Sequence, residues 1–430
     1  MNQSRLLSIS KPLLQTHDGL ARLSVIVRFP EGPRELWFTV PAQHADKLSA
    51  ETCDGFVIGL YALAAERGLD IHVEGTMSTQ LLRSLNGAGG ELLHTLLPNS
   101  RKVRVLADDT TAEDWGGRGV YTGFSAGVDS FCTLFTHSRS DVPRAQQLSG
   151  LFYNNVGSHG RHQTGASLFS VRERRIRALA AQVALPLVSV SSNLDAFLGN
   201  PFQRTHSLRN VAVALLCQRA CGTFLYSSTV HFRDVRTRDV SDIGYADPIL
   251  LPLLQTETLM CHSAGGEYTR HDKTRIVSQH ALSYNTLDIC VSQSPSATIN
   301  CSACWKCLRT QLSLDLLGSL ERYAKVFQLE RYARVRTLFI ASVLQSRDVL
   351  LHEVREQLAP QSVPRAARVL SLIAPPPLLR MLLDAYATAC SRKDASLFDL
   401  PSTHKVHAPH SSGSGSGSGS DLEAARAAMS

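Results

Sequence analysis

Strand-like and helix-like segments alternate between Gly119 and about Arg309, and this alternation restricts the possible folds of the chain more than any other feature. β-type runs at Val120–Phe124, Leu151–Asn154, Leu187–Val190 and Phe224–Ser227 are separated by helical spacing at Ser130–Ser138, about Ala166–Val183 and about Leu208–Cys221. Strands joined by helix-length segments run parallel, with the helices on the faces of the sheet. The expected core is therefore an α/β parallel sheet with helices on both faces. Ligands of such sheets sit beyond the carboxyl ends of the strands. The residues that matter should follow each strand: Ser125–Ser130 after the first, Asn154–His162 after the second, Ser191–Asn193 after the third, and Ser228 with His231 after the fourth. His159 and His162 read more simply as loop histidines than as catalytic ones.

The first of these turns is the most specific. Val-Tyr-Thr-Gly-Phe runs into Ser125, Ala126, Gly127, Val128, Asp129 and Ser130, and then into a helical pattern. A strand, a tight turn of small residues and a helix aim several backbone N–H groups at one point. The helix N-terminus adds partial positive charge there, which suits a phosphate. Ser125 and Ser130 offer hydroxyls, and Asp129 is a candidate ligand for the Mg²⁺ that accompanies a nucleotide. No Gly-x-x-x-x-Gly-Lys-Ser/Thr occurs, so this is not a Walker loop. An ordinary turn rich in small residues is the alternative. Further on, His271-Asp-Lys opens a helix, with Lys273 placed to meet an anion near its first turn or to serve as a solvated charge.

Cys301-Ser-Ala-Cys304-Trp-Lys-Cys307 puts three thiols on one local turn, and Cys290, eleven residues upstream of Cys301, can close a tetrahedron. Zn²⁺ takes four such ligands, and a filled Cys₄ shell is the structural type with no open catalytic position. An iron–sulfur cluster or buried thiols with only packing value are the alternatives. Ten cysteines in 430 residues are too few and too unevenly placed for a disulfide framework.

The flanks are plainer. Residues 1–110 read as a small α+β accessory domain, with strands at Leu23–Phe29, Glu35–Val40, Asp70–Gly75 and Lys102–Leu106 and helices at Asp54–Arg67 and Gln80–Leu97. A boundary is expected at Ala107–Arg118. Asp247–Leu254 reads as a loop with a short strand, residues 311–400 as a helical extension, and residues 411–430 as a flexible Gly/Ser tether ending in a short helix-prone peptide. The net charge of +7 suits an anionic ligand but is too diffuse for a nucleic-acid surface. No stretch reads as a signal peptide or a membrane span, so a cytoplasmic protein without a membrane partner is expected.

Ser-Ala-Gly-Val-Asp-Ser near the start of the α/β region and Cys-x₁₀-Cys-x₂-Cys-x₂-Cys-Leu-Arg near its end, with Arg209-Asn210 and Lys273 between them, resemble the PP-loop ATP pyrophosphatases. Within that group the branch is the 7-cyano-7-deazaguanine synthase (QueC-like) one, and the resemblance covers about Val120–Thr310. It implies a Rossmann-like (HUP/PP-loop) fold with a zinc knuckle over residues 119–310. It also implies an ATP-dependent ligase that adenylates a carboxylate and releases pyrophosphate into the Ser125–Ser130 turn. An amide or nitrile would then form with ammonia or a protein amine. ATP, Mg²⁺ on Asp129 and structural Zn²⁺ would be the cofactors, with Asp129, Lys273 and Arg209 as catalytic residues and Arg209 meeting a substrate carboxylate or phosphate. The acid would be 7-carboxy-7-deazaguanine or a relative. The chain departs from the family in Ala126, where a glycine is usual, in Asn155-Val-Gly-Ser-His, and in both flanks. Enlarged relatives occur in bacterial anti-phage systems, which implies a protein partner or protein substrate held by the N-terminal domain or the C-terminal helices, or a homodimer. A sulfur-transferring tRNA-modifying PP-loop enzyme, using Cys132 or Cys261, and a nucleotide-binding scaffold without turnover are the competing readings.

Overall fold

The computed structural model describes residues 5–158, 162–199, 201–290 and 298–398, with only the backbone at 162–166 and 395–398. His159, the side chain of His162 and the Gly/Ser tract lie outside the described residues. Two compact units are present. The first comprises Met1–Ser125 and Asp129–Arg270, and the second Ala126–Val128 and His271–Ser430.

The first unit is built on one sheet. Its strands are β1 (Leu6–Ile9), β2 (Leu13–His17), β3 (Leu20–Phe29), β4 (Gly32–Pro41), β5 (Asp70–Ser78), β6 (Val105–Thr111), β7 (Gly119–Gly123), β8 (Gly150–Asn155), β9 (Leu187–Ser192), β10 (Cys221–Ser227) and β11 (Met260–Ala264). They run in the order β11-β10-β7-β8-β9-β4-β3-β1-β5-β6, with β2 paired to β3. The sheet is mixed and mostly parallel, and the protein is α/β. β7–β11 are parallel throughout, as the alternation predicts. Helices α1 (Asp54–Arg67), α2 (Thr79–Leu85), α3 (Ala88–Leu96), α4 (Val128–His137), α5 (His162–Gln182), α6 (His206–Leu216) and the short α7 (Asp247–Leu250) accompany it.

Residues 1–110 are continuous with this sheet. β4 pairs antiparallel with β9, Phe38 opposite Ser192 and Thr39 opposite Ser191. The expected boundary at Ala107–Arg118 is the passage from β6 to β7 within one sheet. Helix α1 is buried from Asp54 to Ala65, as a helix apolar all round must be. The expected single helix at Gln80–Leu97 is two, divided at Gly87. Asp247–Leu254 forms two short helical turns rather than a strand, its prolines occupying first-turn positions where no N–H is needed. The edge strand β11 follows instead.

The second unit is helical: α8 (Arg270–Ser278, whose first residue belongs to the first unit), α9 (Trp305–Leu316), α10 (Leu329–Gln345), α11 (Val349–Glu356), α12 (Arg365–Ile373) and α13 (Pro376–Phe398). Among the described residues no single helix is long and apolar enough to cross a membrane. The bent pair Arg365–Ile373 and Pro376–Asp394 passes that test only when taken together.

Candidate phosphate-binding turn and metal centre

β7 is the first strand of the parallel set. β8 and β9 lie to one side of it, and β10 and β11 to the other. The chain therefore reverses its winding direction between β7 and β10, and the carboxyl ends of strands at such a reversal flank a crevice where ligands bind. Ser125 to Asp129 leaves β7 at this point and enters α4. Two observations mark the turn as constrained. Ala126 has φ +58°, a left-handed conformation that a residue with a Cβ adopts only when its surroundings hold it there. The amide of Ser125 donates to Ser130 Oγ at 3.3 Å, and the two hydroxyls lie 3.5 Å apart. Ser125 is exposed and Ser130 buried.

Asp129 is engaged by a residue that the sequence did not flag. Arg270 Nη1 lies 2.9 Å from Asp129 Oδ2, with the two side chains only 11% and 20% exposed. A salt bridge at this burial excludes water on most sides, so Asp129 is not the solvent-facing carboxylate that the motif suggests. Nothing local could have revealed Arg270, which lies far along the chain.

Arg209 also has a defined task. Buried on α6, it donates through Nη1 to Val156 O at 2.6 Å and to Asp195 Oδ1 at 2.7 Å, and through Nε to Thr205 Oγ1 at 2.8 Å. Gly157 makes room for this: a Cβ there would stand 2.1 Å from Arg209 Nη1, and its φ of +113° suits glycine. Arg209 thus ties the loop after β8 to the turn after β9. The neighbouring Asn210 bonds Asn154 at the end of β8 at 2.9 Å.

Lys273, in the second unit, is 1% exposed. It is therefore not a solvated charge, since an ammonium is buried only with partners that replace water. Cys132 and Cys261, the thiols that sulfur transfer would require, are 1% and 0% exposed. Burial pushes the Cys261 thiol well up, away from the reactive thiolate.

The four cysteines meet as the spacing predicts. The sulfurs of Cys290, Cys301, Cys304 and Cys307 all lie within 4.8 Å of one another, with Cys301–Cys307 at 3.7 Å and Cys290–Cys304 at 4.0 Å. A tetrahedron with Zn–S bonds of about 2.3 Å has edges of about 3.8 Å, so the cluster fits a metal such as zinc. None of these residues is in a disulfide. The cluster is framed by Asn300, 0% exposed, which the motif did not single out. Its Oδ1 accepts from the amides of Ile289 and Cys290 at 2.9 and 3.1 Å, and its Nδ2 donates to the carbonyls of Leu287 and Val326 at 2.8 and 3.1 Å. Ser302, at φ +64°, turns the chain between the first two clustered ligands. Arg331 donates to Cys301 O at 3.1 Å and forms a two-pronged pair with buried Asp394 on α13 at 2.6 and 2.9 Å. Helices α10 and α13 thereby pack onto the knuckle.

Fold and site together define an α/β protein with a small-residue turn at the reversal of its parallel strands and a four-cysteine centre suited to a metal. No family model matches the chain, and neither does any curated protein or solved structure.

Proposed function

We propose that the protein is an ATP-dependent carbon–nitrogen ligase of the QueC-like PP-loop kind. It adenylates a carboxylate, 7-carboxy-7-deazaguanine or a relative, releases pyrophosphate and passes the acyl group to an amine. The observation that carries this reading is the position of the Ser125–Ser130 turn. It follows the first parallel strand, at the reversal of strand order, with Ala126 in a left-handed conformation. Backbone N–H groups at such a turn stabilise the negative charge that grows on departing pyrophosphate. The Ser125 and Ser130 hydroxyls add donors. Asp129 is the residue suited to Mg²⁺, which would supply charge neutralisation on the phosphates. Arg270, within 2.9 Å of Asp129, adds a cation that can turn from the carboxylate to an arriving phosphate. Lys273 is the second candidate cation. The cysteine centre has a closed ligand set and serves structure rather than catalysis.

Service in anti-phage defence, with a protein as the amine donor, remains part of this proposal through the flanking regions alone. The test is isotope exchange between pyrophosphate and ATP with candidate acids present. Exchange driven by 7-carboxy-7-deazaguanine supports the assignment. Exchange driven only by another carboxylate keeps the ligase and changes the substrate. AMP formation driven by a tRNA instead favours the tRNA-modifying reading. Release of orthophosphate, or no turnover with any acid, overturns the proposal.

A further inference from the structure

One face of the sheet, at the carboxyl ends of β7, β8 and β10, carries polar groups that adenylation does not use. Tyr121 stacks on Phe152 with centroids 4.9 Å apart, Phe152 lies 6.1 Å from Phe224, and Phe224 lies 5.9 Å from Tyr226. These rings share a face. Side chains alternate along a strand, so Gly123, two residues after Tyr121, and Asn154, two after Phe152, belong to the same face. Helix α6 covers it, since His206 bonds Tyr226 and Asn210 bonds Asn154. Leu225 pairs with Thr122, which sets Tyr226 beside Gly123. A Cβ built on Gly123 meets no described heavy atom within 4 Å. A glycine in a strand with open space above it gains nothing in stability from lacking a side chain.

Two hydrogen-bond chains end beside this space. Asp242 Oδ1, an acceptor, lies 2.7 Å from His206 Nε2, so that nitrogen carries the proton. In the Nε2–H tautomer Nδ1 accepts from the Tyr226 hydroxyl at 2.6 Å, with Ser207 Oγ 3.3 Å from the same nitrogen, and the Tyr226 oxygen keeps a lone pair for an outside donor. In the second chain Asn210 Nδ2 donates to His206 O at 2.8 Å, so Asn210 Oδ1 accepts from Asn154 Nδ2 at 2.9 Å. Asn154 Oδ1 is then left as an acceptor. Its side chain is 9% exposed, and that oxygen has no hydrogen-bond partner among the described residues. Burying an acceptor without a partner is costly.

We propose that the space over Gly123 binds the N–H donors of an amine or of an amino-substituted heterocycle, held between the Tyr226 oxygen and Asn154 Oδ1. This rests on the ligase reading and deepens it. Two acceptors without a donor select groups rich in N–H, which describes both the attacking amine and the aminopyrimidinone edge of a deazaguanine acid. If the amine is the occupant, its attack forms a C–N bond at the acyl carbon, and the C–O bond to AMP breaks with its electron pair leaving on AMP. The amine's proton passes to the Tyr226 oxygen as the Tyr226 proton moves to His206 Nδ1. The resulting imidazolium is paired with Asp242.

The test compares the wild-type chain with Gly123→Val, Asn154→Leu and Tyr226→Phe. Gly123→Val places its methyls in the open space on a strand that favours β-branched residues, so its thermal midpoint should equal or exceed wild type. In a chain labelled with ¹⁵N at asparagine and histidine, ammonium chloride and 2-aminopyrimidin-4-one are titrated separately, with potassium chloride as the control. We expect one probe to move the Asn154 side-chain amide and the His206 ring signals, and which one does so identifies the occupant. Gly123→Val should abolish the response, and loss of one hydrogen bond in Asn154→Leu should weaken it by about tenfold. No response to either probe at saturation, or an unchanged response in Gly123→Val, overturns the crevice. Pyrophosphate exchange, measured in parallel, separates the two readings. A wild-type chain that binds a probe but catalyses no exchange keeps the crevice and loses the ligase. Exchange in wild type combined with probe binding untouched by the variants keeps the ligase and loses the crevice.

Discussion

The amide of Asp288 donates to the carbonyl of Ala126 at 2.9 Å. Asp288 lies two residues before Cys290, and Ala126 is the left-handed residue of the turn after β7. The segment leading into the cysteine centre therefore fixes one carbonyl of the turn proposed to bind phosphate. The amides of Ile289 and Cys290, which follow Asp288, are held in turn by Asn300, so the backbone entering the cysteine centre and the Ala126 carbonyl belong to one hydrogen-bonded network.

Loss of the metal should accordingly cost more than local order. We expect one zinc per chain by elemental analysis. Cys304→Ser, which opens the shell, should lose the metal and unfold the second unit, because in such sites metal binding is folding free energy. Asn300→Ala, which removes four hydrogen bonds to buried backbone groups, should cost about 3 kcal/mol in urea unfolding and weaken zinc about 10–100-fold. Iron in place of zinc, or no metal in protein purified without chelator, contradicts the assignment.

At Ala126 the left-handed backbone opposes two smaller effects. Replacement by glycine relieves strain of about 1–2 kcal/mol, but forfeits about 0.8 kcal/mol of methyl burial and adds about 0.4–1 kcal/mol of freedom to the unfolded chain. Ala126→Gly should therefore lie within about 0.5–1 kcal/mol of wild type by chemical denaturation. Ala126→Val, branched at a position that tolerates β-branching least, should destabilise by at least about 2 kcal/mol. Equal stability of the valine variant would show that the turn relaxes freely.

The Asp129–Arg270 pair makes Ser125 and Asp129 behave differently. Ser125 is exposed, so Ser125→Ala should leave stability within about 0.5 kcal/mol while reducing pyrophosphate release from ATP. Asp129→Ala leaves a largely buried guanidinium without its carboxylate and should cost about 1–3 kcal/mol, besides abolishing that release. Normal ATP cleavage in both variants would remove the turn from the mechanism.

Asp54, 0% exposed at the start of α1, accepts from the amide of Ser78 at 3.0 Å, and burial pushes its carboxyl up to about 7. An unfolded aspartate titrates near 3.9, so between about pH 4 and 7 the folded state holds a proton that the unfolded state has released. This group's contribution to stability is thus complete below about pH 4 and falls as pH rises to about 7. Asp54→Asn has no such slope. Between pH 5 and 8 the wild type should lose about 2–3 kcal/mol relative to the variant in urea unfolding. A pH-independent difference between the two proteins would contradict the buried acid.

The sequence alone determined the elements whose signals are local. Strand–helix alternation over residues 119–227 produced β7 to β10 and the helices between them with small shifts at their ends. The cysteine spacing brought four sulfurs together, since three of the ligands share one turn and a loop carries the fourth. β1, β2 and β11 were missed, each being an edge or short strand, whereas α9 to α13 overlap the stretch read as helical.

Tertiary structure alone decided the pairings between distant segments. It joined β4 to β9, so that residues 1–110 extend the parallel strands. It set Arg270 on Asp129, buried Arg209 against Asp195 and Val156, and brought Asp288 to Ala126. It also left open space over Gly123, which lies between Tyr226 and Phe152 in the sheet. The physical reason is common to all of these. Periodicity and ligand spacing record which face of an element is apolar and which residues share a turn. The partner of a polar side chain depends on where two remote backbones come to lie, and no local pattern encodes that.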